Sequence, residues 1–304
     1  FIRLAPIVLG RDIGFASARH QIRKHSSSHG TTMLRLDKDK SRMRPPAVAG
    51  LFYPENANEL RHVVNGYIAE CSQPAAVAGR PKALIVPHAG YQYSGPVAGF
   101  AYRRLHDWSA DIHHVVMIGP SHRVAIRGLA VPSVDTFETP LGSVPIDAAG
   151  RSRLLELGLV GISDAAHAAE HSLEVQLPFL QVVLEDFDIL PITIGFAPCE
   201  QVARAIDAVW GGSDTLVLVS SDLSHYHTWS EARQLDDATT RAIVGRRSDL
   251  PDEQACGACG INGLMQVARR RGLTVEVLDQ RNSGDTAGDR SRVVGYGSYA
   301  LHET

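Results

Sequence analysis

An α/β layered sandwich, with a central, largely parallel sheet flanked by helices, is the fold class this sequence predicts. Two observations carry that expectation. Short runs rich in β-branched residues, at 83–86, 114–118, 189–194 and 215–219, have the length and continuous hydrophobicity of parallel strands buried on both faces. Stretches with the helical period lie between them, at 97–106, 173–184, 200–209, 231–244 and 263–271. The composition suits such a core: of 304 residues, 44% are hydrophobic and 21% charged, with a net charge of -3. Collagen-like, disordered and nucleic-acid-binding classes are thereby disfavoured.

The opening segment stands apart. Residues 1–43 carry Arg3, Arg11, Arg19, Arg23, Lys24, Arg35, Lys38, Lys40 and Arg42 against only Asp12, Asp37 and Asp39. We expect a basic, disordered extension without function, and Met33 and Met43 just before the first patterned stretch suggest upstream sequence. The apolar run 4–9 is too short for a signal-peptide core. One domain is expected over 44–304. Within it, the stripe Leu173, Leu177, Leu180 and Leu184 marks the core face of its helix. Residues 127–134 and 292–301 add further strands, and the alternation Val293, Gly295, Gly297, Tyr299 reads as an edge or a close-packed terminal strand. The least ordered stretches are expected at 75–80, around Pro198 and at 282–290, where turn-forming residues cluster. No run is long and apolar enough to span a bilayer. Four scattered cysteines, Cys71, Cys199, Cys256 and Cys259, make no disulfide scaffold, so a cytoplasmic setting is expected.

In parallel sheets, ligands bind beyond the carboxyl ends of the strands. Pro87-His88-Ala89-Gly90-Tyr91 follows the first strand, Gly119-Pro120-Ser121-His122 the second, and Ser220-Ser221-Asp222-Leu223-Ser224-His225-Tyr226-His227 a third. Three strands thus deliver histidine to one sheet edge, each among small residues that let a ligand approach the backbone. Two imidazoles and one anion make a common redox or Lewis-acid site. Candidates for the anion are Asp222, Glu170, Glu174 and a thiolate from Cys256 or Cys259. The Cys256-Gly257-Ala258-Cys259 stretch also admits a zinc half-site, a redox dithiol or inert buried thiols. A second metal-binding pair at similar spacing is missing, and Cys71 and Cys199 stand alone. Glu170 and His171 fall at a helix start, where capping is the plain explanation. Nucleotide-binding glycine loops, a nucleophile elbow and His-Glu-x-x-His are all absent.

Five co-linear segments resemble the Memo family, whose prokaryotic members are called AmmeMemoRadiSam system protein B. They are Arg44-Pro45-Pro46-Ala47-Val48-Ala49-Gly50-Leu51-Phe52-Tyr53-Pro54, Pro87 to Gly95, Gly119-Pro120-Ser121-His122, Glu170-His171-Ser172-Leu173-Glu174 and Ser220 to Tyr226. The resemblance implies a domain similar to the class III extradiol dioxygenases, with a thiolate in place of their carboxylate ligand. It places the metal ligands on His88, His122 and Cys256, holding iron or copper in preference to zinc. Asp222 and His225 fall on the acid/base positions, Asp222 orienting His225. Tyr91, Tyr93, Glu170, His171 and Tyr226 are the expected substrate-binding residues. Cys259 is left over, with a disulfide to Cys256 conceivable on oxidation. A dioxygenase- or oxidase-like activity is one implied function. The other is non-catalytic binding of a small-molecule or peptide ligand in the same cleft. The family name also associates such proteins with AMMECR-type and radical-SAM partners.

Overall fold

In the computed structural model, residues 42–71 and 79–303 are described. The expectations for residues 1–43, Arg42 and Met43 excepted, and for most of 75–80 lie outside them. At the centre, β2 (Pro81–Val86), β9 (Thr215–Ser220), β3 (His114–Pro120) and β8 (Asp188–Ile194) lie side by side in that order and run parallel. Antiparallel strands border them. β12 (Val293–His302) pairs with β2, and β11 (Thr274–Asn282) and β10 (His225–His227) both pair with β12. On the other side β4 (Leu129–Val131) pairs antiparallel with β8 and parallel with β7 (Gly161–Ile162).

The period of two along each strand divides the core into two layers. Ala83, Ile85, Val116, Ile118, Val217 and Val219 face one layer, with α6 (Cys199–Ala208), α8 (Ala258–Arg271), the end of α7 (Trp229–Val244) and Leu154 of α3 (Ala148–Glu156). Leu84, Val86, Val115, Met117, Leu216 and Leu218 face the other. There they meet α1 (Ala57–Ala69), α2 (Tyr91–Arg103), α5 (Leu177–Val183) and a small sheet of β1 (Met43–Arg44), β5 (Thr136–Thr139) and β6 (Gly142–Pro145). Each fully buried Leu, Ile or Val contributes roughly 1.5–3 kcal/mol. Two further helices, α4 (Asp164–Ala168) and α9 (Ser283–Thr286), are short, and a 3₁₀ turn, His106–Trp108, follows α2.

The four central strands and five helices thus occur where the sequence pattern put them, with informative differences at their ends. The helix expected over 173–184 opens as a 3₁₀ turn, Glu174–Gln176, and becomes α-helical at Leu177. Pro178 lacks an N–H and is accommodated only in the first turn of α5. Pro96 hides the true start of α2, which begins at Tyr91 directly after the His88 loop. α8 begins at Ala258, five residues before the apolar period becomes regular, so Cys256 sits just ahead of its first turn. β12 is no edge strand: it is paired on both sides. Residues 282–290 are also more regular than expected, because Asn282 and Asp285 form a reciprocal capping box at α9. Pro198 caps α6, and the chain before it is tied by Phe196 N donating to Ile126 O at 2.9 Å. Among described residues, no helix is long and apolar enough to cross a membrane.

Candidate metal centre

His88 follows β2 and is almost wholly buried. Its Nδ1 lies 2.8 Å from Ser220 Oγ, at the end of β9. That hydroxyl donates its own proton to the Ser172 carbonyl (2.6 Å) and accepts from Gln176 Nε2 (2.8 Å). With its proton so committed, Ser220 can only accept from His88, which fixes the tautomer: Nδ1 carries the hydrogen and Nε2 presents a lone pair. Nε2 faces Cys256 Sγ at 3.2 Å. Burial, reinforced by His122 and His171, holds the His88 imidazole well below its usual basicity, so the neutral form suited to ligation is favoured.

His122 follows β3 and is oriented in the same manner by a carboxylate. Its Nδ1 lies 2.9 Å from Glu170 Oε1, and its backbone N–H donates to Oε2 at 2.5 Å. Glu170 also accepts from the backbone N–H groups of His171 and Ser172, each at 3.0 Å. Burial alone would raise the Glu170 carboxyl, but these hydrogen bonds and the His122 ring bring it down to about 2. Glu170 is therefore an acceptor-only anion that leaves His122 Nε2 free.

Cys256 is held at the end of β9. Its Sγ accepts from the backbone N–H of Asp222 at 3.3 Å, and its own N–H donates to the Asp222 carbonyl at 3.3 Å. The glycine after it is obligatory: a Cβ on Gly257 would lie 2.7 Å from both Ser220 O and Ser221 Cβ. Burial, then the nearby Asp222 carboxylate, pushes the thiol up to about 12. The donor atoms of His88, His122 and Cys256 all lie within 4.8 Å of one another.

The other expected site residues divide. His171 stacks on His122, with centroids 4.8 Å apart and planes at 22°, stands edge-on to His88 at 5.5 Å, and is backed by Phe52 at 4.7 Å. Its buried Nδ1 has no hydrogen-bond partner, although Glu170 Oε1 is 3.3 Å away. His122, Glu170 and His171 thus form an overlapping donor group. Both Glu170 oxygens are already occupied by N–H donors, so His88, His122 and Cys256 are the better set. Burial, and to a lesser degree the nearby His122 and His227, lower the basicity of the His225 ring.

Three expectations need correction. Asp222 does not orient His225. Its Oδ1 accepts from the backbone N–H of His88 at 2.7 Å, whereas the His225 ring is influenced by the Leu223 backbone and by His122 and His227, with Asp222 not among its perturbing groups. Burial raises the Asp222 carboxyl to about 7. Tyr91 offers no hydroxyl to a ligand, because its OH donates to the Val175 carbonyl at 2.6 Å and its ring packs on Tyr53 and Phe179. The Tyr91 ring and the half-buried Tyr93 both border an open groove of ≈ 510 Å³ with Leu51, Phe52 and Tyr67. Tyr226 lies at the exposed rim with a left-handed backbone (φ 65°), its ring 4.8 Å from the Arg292 guanidinium. Glu174, a candidate anion in the sequence, is a structural carboxylate. It accepts from Arg44 Nη1 (2.6 Å), Ala47 N (2.7 Å), Val48 N (2.9 Å) and Tyr53 OH (2.6 Å).

Ser220, Ser172 and Gln176, which orient His88, went unrecognised as a unit because they come from separate segments. Another donor group, His114, Asp147 and Asp188, lies away from this edge. It is an ion pair at the opening residues of β3 and β8, with Asp147 capping α3.

Fold and site together define an α/β protein with a histidine–histidine–cysteine cluster at the carboxyl edge of its parallel strands. The profile of the family described as Memo-like protein matches residues 44–300, and the chain belongs to the Memo family. A MEMO1 family protein of Aquifex aeolicus is 37% identical over 271 residues, covering 84% of this chain and 97% of that one. One from Ignicoccus hospitalis is 38% identical over 278 residues (84% and 96%), and one from Archaeoglobus fulgidus 35% over 266 (84% and 97%). An uncharacterized Escherichia coli K12 protein of known crystal structure aligns with a TM-score of 0.45 at 14% identity, over 71% of this chain and 98% of that one.

Proposed function

We propose that this chain is a metal-dependent redox protein that holds iron or copper through His88, His122 and Cys256. The observation that carries the reading is the convergence of these donor atoms within 4.8 Å. The surroundings fit. Ser220 and Glu170 occupy the two Nδ1 atoms and leave both Nε2 lone pairs for a metal, the usual outer arrangement of ligating histidines. A soft thiolate with two imidazoles suits iron or copper. Such an ion would supply one-electron chemistry and Lewis acidity to a bound small molecule.

The chain's own residues supply the rest. His171 and Phe52 wall one side of the cluster and limit water there. The His225 ring, kept less basic by burial and so in its neutral form, can exchange a proton with a ligand. Asp222 acts on backbone, fixing the His88 loop against the end of β9. A second reading, binding of a small molecule or peptide without turnover, is favoured by the groove beside Phe52, whose Leu51 is 80% exposed.

Elemental analysis with electron paramagnetic resonance, on protein purified without oxygen, decides between them. Stoichiometric iron or copper in wild type, lost in Cys256→Ser, is the expected result. Equal metal content in the two would sink the proposed ligand set, and absence of metal from both would favour the binding reading.

A further inference from the structure

The four cysteines are all free thiols, and they do not sort as the Cys-x-x-Cys spacing suggests. Cys256 turns towards His88 and the Asp222 N–H. Cys259 turns the other way, its Sγ lying 3.5 Å from the Ala197 carbonyl at the entrance to α6. That is where Cys199 stands as the first residue of α6, and each of the two thiols shifts the acidity of the other. Helix packing enforces this meeting. A Cβ on Gly263 would lie 2.7 Å from Val202 Cβ, so α6 and α8 touch backbone to side chain at that point. Cys259 precedes Gly263 by four residues and Cys199 precedes Val202 by three, which puts each thiol on the contact face one turn earlier. Cys199 therefore does not stand alone.

The surroundings also differentiate the two sulfurs. Cys199 is the first residue of a ten-residue helix, where unpaired N–H groups and the helix dipole favour an anion. The neighbouring Cys259 thiol lowers it to about 7 against the effect of burial, while Cys259 is correspondingly raised. Both are partly exposed, within reach of a small oxidant.

We propose that Cys199 and Cys259 form a second redox site, a dithiol that peroxide closes to an intramolecular disulfide. The Cys199 thiolate attacks one peroxide oxygen; the O–O bond breaks, hydroxide leaves and is protonated to water, and Cys199 becomes a sulfenic acid. Cys259 gives up its proton and attacks that sulfur; the S–S bond forms as the S–O bond breaks, releasing a second water. Each sulfur loses one electron, and the two electrons reduce one peroxide. A dithiol reductant reverses the process.

The test uses the full-length chain, reduced and freed of metal by chelation, treated with stoichiometric hydrogen peroxide. Expected are loss of two titratable thiols, an intact mass lower by about 2 Da for the two hydrogens removed, and a proteolytic peptide joining Cys199 to Cys259. Cys256→Ser should behave identically, so failure of the proposed metal centre leaves this result untouched. In Cys259→Ser, oxidation should stop at a sulfenic acid on Cys199 that dimedone traps. A Cys256–Cys259 linkage, or four thiols still titrating after treatment of the folded protein, would overturn the proposal.

Discussion

His122 and Glu170 are joined twice, ring Nδ1 to Oε1 at 2.9 Å and backbone N–H to Oε2 at 2.5 Å. A single carboxylate therefore fixes both the place of the His122 loop and the tautomer of its ring. It is itself fixed by the N–H groups of His171 and Ser172.

Glu170→Gln keeps the shape and removes the charge. One of its two terminal atoms becomes a donor facing donors, so the double contact with His122 cannot persist. Metal affinity should fall roughly 10- to 100-fold, the usual effect of losing an outer partner of a ligating histidine. A competition titration with a chromophoric chelator measures it; affinity unchanged within about threefold would show that Glu170 does not orient a ligand.

Gly257→Ala tests how Cys256 is held. The added methyl would meet Ser220 O and Ser221 Cβ at 2.7 Å, neither of which is the free end of a flexible side chain. The start of α8 must move away from β9, at a cost of about 1–3 kcal/mol for overpacking. Metal content and denaturation midpoint should fall together. A variant with wild-type metal content and stability would refute the close approach.

The sheet edge was legible in the sequence because its evidence is local: a buried strand is a continuous apolar run, and the residue after it must lie at the strand's end. His88, His122 and Cys256 were found that way or through the family resemblance. What stayed hidden depends on register between distant segments. Ser220 reaches His88 only because β2 and β9 are neighbours with Val86 opposite Ser220. The role assigned to Asp222 failed for the same reason. Its nearness to His225 in sequence suggested a pair, but its carboxylate reaches across to the β2 loop instead. Cys199 and Cys259 meet through helix packing, which no spacing rule encodes.

Acid should destabilise the fold partly through His167. This ring is buried, with Nε2 3.1 Å from the Ala130 carbonyl, and burial lowers it from 6.5 to about 4. The unfolded chain binds this proton below pH 6.5 and the folded chain only near 4, so the stability contribution is present above 6.5 and lost as pH falls towards 4. The slope is about 1.4 kcal/mol per pH unit for one proton. His167→Gln should be less stable than wild type at neutral pH, and the gap should narrow on acidification across that window. Urea unfolding at a series of pH values checks it; a gap independent of pH would exclude His167 as a contributor.

Arg44 and Glu174 fasten the first patterned segment of the chain to the turn that carries Glu170. The guanidinium donates to Glu174 Oε2 at 2.6 Å and to the carbonyls of His167 and Glu170 at 2.7 Å each. Both side chains are buried, so removing one leaves an uncompensated charge, which costs about 3–5 kcal/mol. Arg44→Ala should lower unfolding free energy by that amount, and because the Glu170 carbonyl loses its donor, the His122 loop should loosen as well. Replacing both partners, Arg44→Met with Glu174→Gln, removes the stranded charge and should recover part of the loss. Denaturant unfolding of the two variants decides the matter: a single variant as stable as wild type would mean that this pair does not hold the segment in place.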